Sequence, residues 1–113
     1  MLIKELSEKY NDYIIDRRRY YHQYPELTLQ EIETTKSIIK DLKEIGIEDI
    51  KTFKDFHGCV GILKGGKPGK TVLLRADIDA LPVLEKTELP FASKIEGKMH
   101  ACGHDNHIAM LLG

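Results

Sequence analysis

An α/β fold, two N-terminal helices packed on a mixed sheet, is what this sequence predicts, and three observations carry it. Apolar and aromatic side chains recur at helical spacing from Leu2 to Ile45. Short β-prone runs separated by turn residues follow, from Ile47 to Leu74. The chain has 113 residues and no repeat, low-complexity tract or internal linker. It therefore has room for one modest core, burying about 65% of its unfolded surface.

The first helix is predicted from Ile3 to Gln23, where Leu2, Leu6, Tyr10, Tyr13, Ile14, Arg17 and Tyr21 share a face. Its tyrosines read as packing residues. Arg17, Arg18 and Arg19 read as a solvated or ion-paired patch, and Pro25 ends the helix. His22 and Glu26, which flank that end, read as loop residues with a structural role. Thr28-Leu29-Gln30-Glu31 has the form of a capping box for the second helix. That helix carries Ile32, Ile38, Ile39, Leu42 and Ile45 on one side and stops at Gly46.

Residues 47–53 and 59–63 read as strands, and Gly65-Gly66-Lys67-Pro68-Gly69 turns the chain into a buried strand at Val72-Leu73-Leu74. The glycine-rich turn lacks the Lys-Ser/Thr pair and following helix of a phosphate loop. Residues 84–97 read as a polar loop, in which the spacing of Glu85, Glu88 and Glu96 marks none as a general base.

Charge and hydropathy narrow the function classes. Seventeen basic against eighteen acidic side chains leave no basic face for nucleic acid. No apolar stretch approaches the ~20 residues needed to span a bilayer, and the N-terminus has no signal-peptide core. With only Cys59 and Cys102, a buried thiol and a metal-ligating thiol are expected in place of a disulfide, in a cytoplasmic protein.

Two segments concentrate chemistry. Met99 to His107 holds three of the five histidines, one cysteine and one aspartate around Gly103. Imidazole, thiolate and carboxylate are the donors zinc-like ions prefer. Cys102 and His104, two apart, leave the same face of an extended segment. If a helix starts near Asp105, His104 and His107 stand one turn apart. The second segment places Arg75, Asp77 and Asp79 at the end of the Val72 strand, where unpaired carboxylates do not build a core. A carboxylate there can orient a metal-bound histidine, or simply pair with Arg75.

"RADIDALP" followed by "MHACGHDNH" resembles the dinuclear-metal amidohydrolases of the aminoacylase/carboxypeptidase metallopeptidase family. The nearer resemblance is to N-acyl-amino-acid amidohydrolases, hippurate hydrolases, N-acetyldiaminopimelate deacetylases and plant auxin-conjugate hydrolases. "RRRYYHQYPELTLQEIETT" is similar to the N-terminal segment of that branch, through Arg18 or Arg19, His22, Pro25 and Glu26.

The resemblance implies a zinc-peptidase-like catalytic domain, of which residues 1–113 would be the N-terminal part, the remainder and a dimerisation domain lying elsewhere. It implies two divalent ions (zinc, manganese or cobalt), with Cys102 and His104 as ligands. Asp77 would be the catalytic aspartate that orients the site, with Asp79 the other candidate for that place. Asp79, Asp105 and His107 would stand behind the ligands. Arg75 takes the place of a histidine ligand of the wider family. The implied reaction is hydrolysis of an N-acyl amino acid or short peptide, in a protein able to form homo-oligomers. The family's general-base glutamate, a metal-binding glutamate and two further histidine ligands come later than residue 113. A truncated chain is therefore expected to be inactive alone. The other reading is a non-catalytic metal-binding or interaction module.

Overall fold

The computed structural model describes residues 2–113. Its elements in chain order are α1 (Ile3–Lys9), α2 (Asn11–Gln23), α3 (Ile32–Ile45), β1 (Asp49–Thr52), β2 (Cys59–Ile62) and α4 (His104–Leu112). The α/β class is as expected, and among the described residues the sheet is a two-stranded antiparallel one.

The single first helix expected from Ile3 to Gln23 is two helices, with Tyr10 at φ −98°, ψ 5° between them. Hydrogen bonding nearly spans the break: Tyr10 N–H donates to Leu6 and the Tyr10 carbonyl accepts from Ile14, each at 3.0 Å. Packing explains the difference. α1 buries no residue, whereas α2 buries Tyr21 and His22. A short helix without a buried face has little to hold it in line with its neighbour.

The start of α3 also departs from expectation. Thr28 and Glu31 form no capping box; the Thr28 hydroxyl donates to Asp79 instead. The carboxylate of Glu26 accepts the backbone N–H groups of Glu33 and Thr34, two of the helix's otherwise free donors. Leu29, at φ 66°, turns the intervening backbone, with Gln30 N–H on the Leu27 carbonyl. At the other end, Gly46 closes α3 in the left-handed region at φ 105°, as the sequence predicts.

β1 and β2 form an antiparallel hairpin with Asp49 opposite Ile62 and Thr52 opposite Cys59. Val72-Leu73-Leu74 is not the buried strand expected. These side chains are 80%, 78% and 71% exposed, and the run joins no ladder among the described residues. A strand needs a neighbour for its N–H and C=O groups. Further along, the same segment finds partners: Leu27 bridges Ala80 in parallel and Leu81 bridges Met99 antiparallel.

Tyr21, Ile38 and Ile108, one each from α2, α3 and α4, make the buried centre. Tyr20, Leu42, Cys59, Ile78 and Leu112 pack around them. The Tyr21 hydroxyl donates to Asp41 at 2.6 Å, and Arg17 reaches the same carboxylate at 3.2 Å, so polar bonds reinforce the seam between α2 and α3. No helix among the described residues is long and apolar enough to cross a membrane.

Candidate metal centre

The two chemistry-bearing segments meet through backbone pairing. Ala80 N–H donates to the Glu26 carbonyl at 2.8 Å, and Leu81 and Met99 exchange bonds of 2.9 and 3.0 Å. This holds the turn before α4 beside Asp79. Gly103 then starts α4 from φ 103°, a conformation that residues with a Cβ rarely adopt.

His104 opens the helix with its ring orientation set. Nδ1 lies 2.9 Å from both the carbonyl and the Oδ1 of Asp79. Both atoms are acceptors, so Nδ1 carries the proton, and in the neutral ring Nε2 holds the lone pair. Asp77 Oδ2 stands 4.0 Å from that Nε2, while Asp77 Oδ1 receives Arg75 at 2.6 Å. The Thr28 hydroxyl, with help from His104, holds the Asp79 carboxyl below the usual carboxylate range against the opposing effect of burial. The geometry thus brings Asp79 onto His104 by direct hydrogen bond and leaves Asp77 on the lone-pair side, partly committed to Arg75.

Cys102 is an exposed free thiol two residues before His104. His107 follows one turn later, its ring centroid 5.8 Å from that of His104. Among the described residues, no group of three or more His, Cys, Asp or Glu side chains is arranged to hold a metal ion. Cys102 and His104 are donors of the right chemistry, but a closed zinc site takes four ligands.

Behind this turn lies a buried polar cluster whose members Arg18, His22 and Asp105 the sequence named only singly, without joining them. Asp105, in the first turn of α4, is fully buried. Its Oδ2 receives Arg18 Nε at 2.9 Å and faces His22 Nδ1 at 2.8 Å. The opposite nitrogen of His22 lies 2.8 Å from Glu85 Oε1. Glu85 also accepts the Ser93 N–H at 2.8 Å and the Thr87 hydroxyl. Burial opposes its charge, but Thr87, Ser93 and His22 together hold its carboxyl below the usual range. Arg18 and His22 are four apart on α2, a spacing from which both could have been seen to reach one carboxylate. Nothing in the sequence pointed to Glu85. His100 is buried as well, with neither ring nitrogen hydrogen-bonded among the described residues; burial pushes its pKa down to about 4.

Residues 73–113 match the model of peptidase family M20/M25/M40. Over 98% of its length the chain is 50% identical to thermostable carboxypeptidase 1 of Saccharolobus solfataricus, spanning 28% of that protein. It is 49% identical to the N-acetylcysteine deacetylase of Bacillus subtilis, covering 88% of this chain and 26% of the relative. In three dimensions it is similar to the Bacillus subtilis YxeP protein, described as a dinuclear metal binding peptidase from the M20 family. That likeness has a TM-score of 0.87 at 46% identity, over 93% of this chain and 29% of the other. The chain thus spans under a third of the length of the relatives it matches.

Proposed function

We propose, from the premise that this chain belongs to the peptidase family M20/M25/M40, that residues 1–113 are the N-terminal part of a metallohydrolase catalytic domain. The whole protein hydrolyses the amide bond between an acyl group and an amino acid, or that of a short peptide. The relatives' names support this class, since a carboxypeptidase and an N-acetylcysteine deacetylase both cleave an amide beside an amino acid. The observation that carries the reading is His104: Asp79 fixes its Nδ1–H, leaving the lone pair on the nitrogen nearer Asp77, with Cys102 two residues away.

Cys102, as thiolate, and His104, through Nε2, are the residues here that would hold one or both of two divalent ions such as zinc, manganese or cobalt. Such ions supply Lewis acidity toward an amide carbonyl and toward water. The chain's own residues do the orienting. Asp79 keeps His104 in one tautomer and raises its basicity as a ligand. Asp77 adds negative charge on the ligating side, while Arg75 holds that carboxylate in place. Asp105 and His107 belong to the supporting helix turn. Donors beyond these residues complete the site, so residues 1–113 alone have no amidase activity. Two free thiols suit a reducing compartment, the cytoplasm.

The test uses the full-length protein. Chelation should abolish hydrolysis of an N-acetyl amino acid, and zinc, manganese or cobalt should restore it. Cys102→Ala or His104→Ala should cost more than the ~10–100-fold typical of residues behind a metal ligand. Turnover that survives chelation and both substitutions overturns the proposal. Tight metal binding by the full-length protein without turnover on any N-acyl amino acid or dipeptide supports the non-catalytic module instead.

A further inference from the structure

We infer that His22 is a positioning residue, which through Asp105 and Glu85 sets the turn carrying Cys102 and His104; the inference rests on the metal-site reading above. The ring is 2% exposed and lies between the two carboxylates, with 2.8 Å on either side. An imidazole is suited to this place because its two nitrogens point in nearly opposite directions from a rigid ring. A flexible amine or a single amide could not reach both oxygens from this point on α2 with the same fixed geometry.

Each partner governs a different stretch of backbone. Asp105 follows His104 directly, so holding its carboxylate holds the first turn of α4, and with it the register of His104 against Asp79. Arg18, from one turn earlier on α2, holds the same Asp105 oxygen. Glu85 gathers the loop that leads into the site through the Ser93 N–H and the Thr87 hydroxyl. Phe91 of that loop meets the His22 ring edge to face at 5.7 Å, and its own ring lies under the Arg18 and Arg19 guanidinium groups. Lys94 N–H closes the loop onto the Gln23 carbonyl at 2.9 Å. His22 is the one side chain hydrogen-bonded to both Asp105 and Glu85 among the described residues. Its effect on the metal site passes through two successive links, Asp105 and the helix backbone. Its side chain hydrogen-bonds neither Cys102 nor His104 among the described residues, so it positions and does not react.

The experiment compares wild type, His22→Gln, Glu85→Gln and Glu85→Leu in the full-length protein loaded with cobalt(II). The readouts are the cobalt–thiolate charge-transfer band, cobalt affinity, and kcat and KM on an N-acetyl amino acid. Removing a group that orients a metal ligand from behind costs ~10–100-fold in metal affinity or activity. His22→Gln should lose cobalt affinity by that factor, shift the thiolate band and lower kcat while KM stays within about twofold. Glu85→Gln keeps an oxygen acceptor for His22 and should retain wild-type cobalt binding, whereas Glu85→Leu should follow His22→Gln. If His22→Gln does not fold, the two Glu85 variants decide: equal cobalt spectra and affinities in both overturn the inference. A folded His22→Gln with unchanged band, affinity and kcat overturns it too, whatever its melting temperature. If wild type itself shows no cobalt–thiolate band, the ligand assignment fails and the inference falls with it.

Discussion

The carboxylate of Glu26 accepts the backbone N–H of Thr34, eight residues ahead, and so caps a helix to which Glu26 does not belong. The neighbouring N–H of Glu33 reaches the same carboxylate at 3.2 Å. An acidic group at a helix start satisfies free donors and interacts favourably with the helix dipole. Glu26→Ala is therefore expected to lower stability by about 1–2 kcal/mol, in the range of a lost cap. Thr28→Ala should leave α3 intact and act on Asp79 instead. Urea unfolding of both variants checks this, since a true Thr28 capping box would reverse their order.

Glu85 makes acid stability measurable. Its folded carboxyl titrates below the ordinary value of 4.5, because Thr87, Ser93 and His22 outweigh the effect of burial. A depressed carboxyl contributes stability that is fully present above its unfolded pKa and lost as pH falls through the folded one. Glu85→Gln removes that dependence. Stability of the wild type should fall more steeply than that of the variant below about pH 4.5, and parallel acid-unfolding curves would count against it.

The two thiols should separate chemically. Cys102 is exposed, while Cys59 packs against the core and burial pushes its thiol pKa up. The thiolate is the reacting form. Iodoacetamide should label Cys102 well before Cys59 in metal-free protein. In the full-length protein zinc should slow the labelling of Cys102 and leave Cys59 unchanged, because ligation competes with alkylation. Mass spectrometry of the labelled peptides reads out both rates, and a Cys102 rate indifferent to zinc would remove it from the ligand set.

Val72, Leu73 and Leu74 lie exposed and join no ladder among the described residues. Exposed apolar patches favour association. The 113-residue chain should self-associate with rising concentration in sedimentation velocity, and Leu73→Lys should shift it toward monomer. Identical behaviour of the two chains would place the contact elsewhere.

Features that depend on neighbouring residues were legible in the sequence. The spacing of Ile38, Leu42 and Ile45 with Gly46 located α3 and its end, and the β-prone runs located the hairpin. The Cys102–His107 segment located the turn and helix that carry the candidate ligands. Features that depend on chain path were not legible. Local pattern favoured Thr28 and Glu31 as caps because they stand beside the helix, yet the backbone turn at Leu29 hands the task to Glu26. The partnership of His22 with Glu85 joins residues 63 apart in sequence, and no periodicity encodes it. Val72 to Leu74 has the composition of a strand, but composition does not provide the neighbouring chain that a ladder needs.

The way residues 85–94 are riveted to α2 bears on where this protein can change length. A polar loop leading into a reactive site is commonly regarded as the natural place for insertions. Here Glu85, Phe91 and Lys94 are fastened in turn to His22, Arg18 and Gln23, so an added residue anywhere between them would break a buried bond or shift an aromatic contact. Gly65, Gly66 and Gly69 are instead exposed, with nothing within 4 Å of where a side chain would begin. Lineages of this chain should therefore vary in length at the glycine turn, and a tag or graft belongs there.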